Sequence, residues 1–293
     1  MTSLLETVRR HADALADAQG LAVTPIPGLL LIRATRPSSL EHAISRPLAC
    51  LVVQGAKQVT MGAEHFAFSA GDSLLITADV PTVSQITRAS AVAPYYSLVL
   101  MLDPALIVEL AADMKTGPVA DAAPLRVEPT DGEVAEAAHR LLKLLDRPAA
   151  LPLLQASLLR EMHYWLLAGR HGSAIRRLGW SDGHLQRVAR AVEILRRDFA
   201  RRLPVEDLAA AAGMSPSSFH RHFKAVTTLS PLQFQKQLRL IEARRLMQAE
   251  AHSASSAAFA VGYESVPQFT RDYGRLFGLS PVRDAEQARR NAA

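Results

Sequence analysis

The sequence predicts an α+β protein of two domains. The N-terminal one is a small β-barrel followed by a helical hairpin. The C-terminal one is all-α, with two helix-turn-helix units joined by a long helix. Three observations carry this. Short runs rich in Val, Leu, Ile and Thr, separated by turn residues, fill the chain before Pro104. Apolar residues recur at helical spacing after it. A C-terminal stretch occurs twice. Strands and helices are told apart by those two periods, and a repeated stretch marks a duplicated unit.

In chain order, residues 1–20 place Leu4, Val8, His11, Leu15 and Ala18 on one side of a short amphipathic helix. Leu29–Thr35, Leu48–Gln54, Lys57–Met61, Ser73–Ala78, Val83–Arg88 and Tyr95–Leu102 read as strands, with Gly55, Gly62, Gly71-Asp72 and Pro81 as turn residues. Gly55-Ala56 reads as a hairpin turn between its flanking strands. Strands this short and this closely spaced, over about 24–103, suggest a small antiparallel barrel or sandwich of cupin-like form.

From Pro104 the period is helical. Ala105–Met114 reads as a short helix, and Lys115–Pro129, with Gly117, Pro118, Pro124 and Pro129, as a loop. Val134, Ala138, Leu141, Leu142 and Leu145 form one apolar stripe. Leu154, Leu158, Met162, Trp165 and Leu166 form another. Joined at Pro148–Pro152, they make a helical hairpin within about 105–168. The polar, glycine-containing stretch Arg170–Asp182 reads as the boundary between domains of residues 1–172 and 183–293. Leu185, Val188, Val192, Leu195 and Phe199 then form a helix leading into the first repeated unit.

That unit spans Leu203–Pro231. Pro204 can open a helix, where its missing N–H costs nothing. Leu208, Ala209 and Ala212 give the helix an apolar face, and Gly213 ends it. Ser215 reads as an N-cap with Pro216 at the first helical position. Phe219, Phe223 and Val226 bury one face of the second helix. Ser217, Ser218, His220, Arg221 and Lys224 are its exposed candidates. Such a face suits a DNA major groove, with cations for phosphates and hydrogen-bonding groups for base edges. Pro231–Met247 reads as the long connecting helix, packed through Phe234, Leu238 and Ile241. The second unit, Ser253–Pro281, repeats the first at an offset of 50: Ser215 falls on Ser265, Phe219 on Phe269, Arg221 on Arg271 and Phe223 on Tyr273. Gly262 sits in its turn as Gly213 does. Gln268, Thr270, Arg271 and Arg275 are its exposed candidates. The helix-turn-helix units thus lie at about 205–227 and 254–277. A rigid helix between them would let both recognition helices enter successive grooves about 34 Å apart.

Charge supports this division. Residues 1–172 hold 14 Lys/Arg and 17 Asp/Glu, a net of −3, and residues 173–293 hold 19 and 11, a net of +8. A basic domain beside a slightly acidic one points to a nucleic-acid binder carrying a separate sensor or partner module. No apolar run approaches the roughly 20 residues of a membrane span. The N-terminus lacks a signal-peptide core, so a cytoplasmic location is expected, nucleoid-associated when bound to DNA. Cys50 is the only cysteine, which excludes an intrachain disulfide.

Metal chemistry finds little support. His220 and His222 lie at i and i+2, which do not face each other on a helix. His42 and His65 are the only histidines of the barrel, too few for the three or so converging ligands a metal enzyme needs. No metal, cofactor or enzymatic activity is therefore expected. Cys50 reads as a packed core thiol, with redox or electrophile sensing as the alternative. Tyr95 and Tyr96 either line a pocket or sit half-buried in a sheet. These three are the candidates for an effector site.

The C-terminal 100 or so residues resemble the AraC/XylS-type bacterial transcriptional regulators. The resemblance rests on L-x-V-E-D-L-A-x-x-A-G-M-S (203–215), F-x-R-x-F-K (219–224), S-P-x-x-F (230–234), E-A-R-R-L (242–246), A-x-x-V-G-Y-E-S (258–265), F-x-R-x-Y (269–273) and F-G-L-S-P (277–281). The N-terminal half is similar to the sensor module of one branch, through PLACLVVQGAKQV (47–59), AGD (70–72) and PYYSL (94–98). The resemblance implies a barrel that binds a small-molecule effector or mediates dimerisation. It makes double-stranded promoter DNA the expected partner, with RNA polymerase and a second copy of the chain as further candidates. Three departures fall in the second unit. Pro267 stands where a polar base reader is frequent, so the second recognition helix is expected to start differently. Gly274 lies inside that helix, and VRDAEQARRNAA lacks the aromatic that often follows the final proline. Base readout by the second unit is expected to be looser. The reading is thus a sequence-specific DNA-binding transcriptional regulator responsive to an effector. The alternatives are a constitutive regulator whose barrel only dimerises, and a metal-dependent barrel enzyme fused to a DNA-binding domain.

Overall fold

A computed structural model describes residues 3–115, 123–179 and 183–292. The chain divides into two compact units, residues 1–186 and 187–293.

The first unit opens with α1 (Leu4–Leu15), started by a capping box between Ser3 and Glu6. Ten strands follow: β1 (Leu21–Val23), β2 (Leu29–Ala34), β3 (Glu41–Ser45), β4 (Leu48–Gln54), β5 (Ala56–Met61), β6 (Glu64–Ser69), β7 (Asp72–Ile76), β8 (Val80–Arg88), β9 (Tyr95–Met101) and, after α2 (Pro104–Asp113), β10 (Leu125–Pro129). The expected small barrel takes the form of two antiparallel sheets, ordered β1-β2-β9-β4-β7-β10 and β3-β8-β5-β6. Next come α3 (Gly132–Lys143), α4 (Leu151–Ala168) and α5 (Gly172–Arg176). Strand alternation gives the six-stranded sheet two faces. Ala49, Leu51, Leu75, Tyr96, Leu98 and Leu100 share a core with Val8 and Ala12 of α1, Leu141 of α3, and Met162 and Leu166 of α4. By register, Cys50 opposes Val99 and Val52 opposes Ser97, so Cys50, Tyr95 and Ser97 lie on the other face.

Several expectations need correction. Gly55-Ala56 is a corner, not a hairpin turn: β4 and β5 belong to different sheets. Gly55 has φ +86, and a Cβ there would stand 2.5 Å from the Arg88 carbonyl, so only glycine lets the chain cross. Lys115–Pro129 is not all loop. Leu125–Pro129 pairs with Asp72–Ile76 as an edge strand, whose end tolerates the missing N–H of Pro129; residues 116–122 lie outside the described residues. Pro81 is inside β8, opposite Ile44 of the edge strand β3, rather than in a turn. The buried stripe of α1 is Thr7, Val8 and Ala12; Leu15 is 44% exposed at the helix end and Ala18 lies beyond it. Leu154 is 49% exposed, because α4 buries its second half, through Met162, His163, Leu166 and Leu167. Part of the polar stretch Arg170–Asp182 is packed: Ala174, Ile175 and Leu178 join the core. Residues 180–182 lie outside the described residues.

The rest is helical: α6 (His184–Asp198), α7 (Val205–Ala211), α8 (Pro216–Thr227), α9 (Pro231–Ala249), α10 (Ala254–Ala260), α11 (Val266–Phe277) and α12 (Pro281–Ala292). Pro204 is the N-cap residue, with φ −59 and ψ 140, and the helix begins one residue later than expected. On α9, Leu238 and Ile241 are only half-buried. Phe234, Leu240, Ala243 and Met247 are buried instead. The stripe changes sides because α9 packs on α8 near its start and on α10, α11 and α12 later.

The repeat is exact to one residue. From α8 to α11 and from α9 to α12 the offset is 50, but from α7 to α10 it is 49. The equivalent amide bonds, Met214 N–H to Ala209 O and Tyr263 N–H to Ala258 O, share the offset of 49. The single offset of 50 expected for the whole unit therefore fails before the turn, which is one residue longer in the second copy.

Candidate nucleic-acid interface

Each unit presents one recognition helix. For α8, Ser215 caps the start by accepting from the Ser218 N–H at 3.4 Å, and Pro216 follows at the first helical position. Phe219 and Phe223 are fully buried, with ring centroids 5.3 Å apart, and Phe223 meets Phe234 of α9 edge-on at 5.5 Å. Gly213, with φ +62, ends the preceding helix as expected. With one face fixed inward, Ser217, His220, Arg221 and Lys224 are exposed, while Ser218 is half-buried. Among the described residues Arg221 and Lys224 pair with no carboxylate; Arg221 lies 3.4 Å from His222 Nε2.

In α11, Gln268, Thr270, Arg271 and Arg275 are exposed. Arg271 holds the same helical position as Arg221 and is likewise without a carboxylate partner among the described residues. Arg275 differs: its Nη1 lies 3.9 Å from Asp272, a buried carboxylate that also pairs with Lys236 Nζ at 3.1 Å and accepts from Tyr263 Oη at 3.4 Å. Burial first, and Asp272 second, raise the Tyr263 phenol. Arg275 is therefore partly committed within the protein. The start differs, as expected, in its cap: Ser265 has φ −138 and ψ 116 where Ser215 has φ −68 and ψ 153. The helix begins one residue after its N-cap, Ser265, as α8 does after Ser215, because proline is accepted in a first helical turn.

Gly274 lies in an unbroken helix, where a Cβ would meet only the Leu279 carbonyl at 3.9 Å. Gly274→Ala should stabilise the chain by about 0.5–1 kcal/mol. A lowered thermal midpoint would show that glycine is required there.

Sequence reasoning missed the anchor of this helix. Asp284 of α12, 5% exposed, receives Arg244 Nε at 2.7 Å and Nη2 at 2.9 Å, Tyr273 Oη at 2.6 Å and Gln248 Nε2 at 3.2 Å. The Arg244 guanidinium also lies 4.8 Å over the Phe277 ring. Burial, then the bond to Asp284, raise the Tyr273 phenol. The E-A-R-R-L motif holds Arg244, but its partner is distant in sequence and nothing local signals the pair.

The effector candidates separate. Cys50 is 4% exposed, and burial raises its thiol. Tyr95 is fully buried, with its hydroxyl beside Ser97 and Cys50; among the described residues neither that hydroxyl nor that of Ser97 makes a hydrogen bond of regular geometry. Burial pushes the Tyr95 phenol well up, and neighbouring Cys50 adds to it. Tyr96 turns to the opposite face, where its hydroxyl donates to Asp13 at 2.7 Å and Arg33 Nε donates to the same carboxylate at 2.6 Å. Its polar end is thus used in fastening α1 to the sheet. Among the described residues no three His, Cys, Asp or Glu side chains converge as a metal site, and no helix is long and apolar enough to cross a membrane.

A β-rich unit followed by paired helix-turn-helix units with basic exposed faces defines a helix-turn-helix protein with a separate N-terminal module. A helix-turn-helix domain family matches residues 208–287, and the family described as AraC-type transcriptional regulator N-terminus matches residues 25–174, half of the chain. The chain belongs to the AraC-type transcriptional regulators. It is 34% identical over 95 residues to the HTH-type transcriptional activator RhaS of Salmonella schwarzengrund, covering 32% of this chain and 34% of RhaS. It is 29% identical over 110 residues to the HTH-type transcriptional regulator GbdR of Pseudomonas aeruginosa, covering 38% and 29%. The chain thus spans about a third of the length of the curated relatives it matches. Vibrio cholerae ToxT shares the fold: the ligand-free form of a point variant has a TM-score of 0.60 at 8% identity, covering 88% of this chain and 97% of ToxT. Wild-type ToxT with an unsaturated fatty acid bound gives 0.58 at 9%, covering 88% and 95%.

Proposed function

We propose that this protein is a sequence-specific DNA-binding transcriptional regulator, with a sensor domain in residues 1–172 and a DNA-binding domain in residues 183–293. The observation that carries the reading is the pair Arg221 and Arg271. Both are exposed, both lack a carboxylate partner among the described residues, and both stand at the same position of duplicated helices whose other faces are buried. Arginine there suits bidentate contact with a guanine edge. Lys224, Ser217 and Ser218 suit phosphate contacts, while His220, Gln268 and Thr270 reach toward bases or backbone. Arg275 contributes less, being shared with Asp272.

The N-terminal sheets take a small-molecule effector that favours one presentation of the DNA-binding domain over another. A ligand does this only by binding the two states differently. Promoter DNA is the partner, RNA polymerase and a second copy of the chain are further ones, and the protein works in the cytoplasm at the nucleoid. Its relatives are regulators, and no catalytic role is assigned to it.

Arg221→Ala should weaken binding to a selected duplex by about 1–3 kcal/mol and relax the preference at one base position. Titration of labelled duplexes at fixed salt measures this. Unchanged affinity and preference would remove Arg221 from the interface.

A further inference from the structure

Arg239 of α9 makes four hydrogen bonds, none of them to a carboxylate. Nε donates to Phe199 O at 2.7 Å, Nη1 to Gly262 O at 2.9 Å, and Nη2 to Ala200 O at 3.2 Å and Arg201 O at 3.0 Å. One turn earlier, Gln235 Nε2 donates to Phe199 O at 2.9 Å and Arg201 O at 2.6 Å. Three of these carbonyls stand at the C-terminal end of α6, where the helix dipole favours a cation. The fourth belongs to the turn of the second helix-turn-helix unit. That turn lies directly on the segment that follows α6: a Cβ on Gly262, which has φ +84, would stand 1.9 Å from Ala200 O. The first unit is tied to α6 differently. Arg187 Nε donates to Ala212 O at 2.9 Å and Arg190 Nε to Ala211 O at 3.2 Å, both at the end of α7. The first turn is therefore held to α6 by side chains of that helix, and the second to the segment directly after it through Arg239.

We propose that Arg239 is a positioning residue that fixes the spacing and angle between α8 and α11 without touching DNA. This rests on the reading that both helices enter one duplex. The chemistry asks for arginine in particular, since its planar fork of five donors bonds four carbonyls at once, and a lysine ammonium has only three donors on a single nitrogen. The second unit also has its own core, of Ala257, Ala258, Val261, Phe269 and Tyr273 with Leu240 and Ala243 of α9 and with Phe199 packed against it. It therefore keeps its fold when the clip is removed. What changes is rigidity, and rigid linkage raises the effective concentration of the second reader once the first has bound.

The test uses the full chain and selection from randomised duplexes. The wild-type protein should enrich two half-sites at one spacing. Arg239→Met keeps the stem and removes the donors. It should retain both half-sites at several spacings, bind the wild-type composite site about tenfold more weakly, and bind an isolated first half-site unchanged. Gly262→Ala, which forces the turn off Ala200 O, should broaden the spacing in the same way. Unaltered spacing and affinity in Arg239→Met would overturn the proposal. So would outright loss of the second half-site, which would make Arg239 a support of the second fold. Should the wild-type protein enrich no duplex at all, the DNA-binding reading fails first and takes this proposal with it.

Discussion

Phe223→Ala is expected to lower the stability of the C-terminal unit by about 3–5 kcal/mol, the range found for emptying a buried aromatic site. Phe223 has no exposed surface and lies between Phe219 and Phe234. Its removal opens a void that neither neighbour can fill, because both are held in helices. The same ring sets the roll of α8, so the loss reaches the exposed face that carries Arg221. Denaturant unfolding should show a lower midpoint for the C-terminal transition. A change under about 1 kcal/mol would mean the site collapses around the cavity, and that the three rings do not form one core.

Asp284→Ala should cost a similar amount, about 3–5 kcal/mol, for an electrostatic reason. Removing one partner of a buried pair leaves the other charge stranded. Here the stranded group is the Arg244 guanidinium, 22% exposed against 7% for the Asp284 side chain, and the Tyr273 hydroxyl and Gln248 amide lose their acceptor with it. Together with the buried Ala285, this carboxylate fastens α12 to α9 and α11. Asp284→Asn keeps the shape and one acceptor, so it should lose less. Calorimetry of both variants decides the matter: equal, small shifts would show that the cluster contributes little.

The helical C-terminal part was readable because its signals are local. Gly213 punctuates a turn, Ser215 and Pro216 open a helix, and Phe219 and Phe223 face inward at i and i+4. The exposed stripe then follows by exclusion. The sheets were readable where strands are apolar, and β4 runs over the same residues as read from the sequence. The three-residue β1 was not found, nor were β3, β6 and β10, because EHAIS, EHFAFS and LRVEP are mixed in polarity and gain their strand form from pairing partners. Gly55 is the instructive failure. Its sequence suits a hairpin equally well, and only the close approach of Arg88 and Tyr95 reveals a corner. Of the interface, residue identity and exposure were legible. The internal commitments of Arg239 and Asp284 were not, since each joins residues that the chain keeps apart; that of Arg275 to Asp272, three residues before it, is local and was overlooked.

The extra residue in the second turn has a consequence for exchanging parts between the two copies. A transplant of α8 from its cap onward, residues 215–231 in place of 265–281, begins and ends at matching positions, so the imported helix would keep its cap and its buried and exposed faces. A transplant that began upstream of Gly213 would carry the shorter turn with it, one residue short of the connection that the second copy uses. New specificities are therefore best assembled from pieces cut at the serine caps.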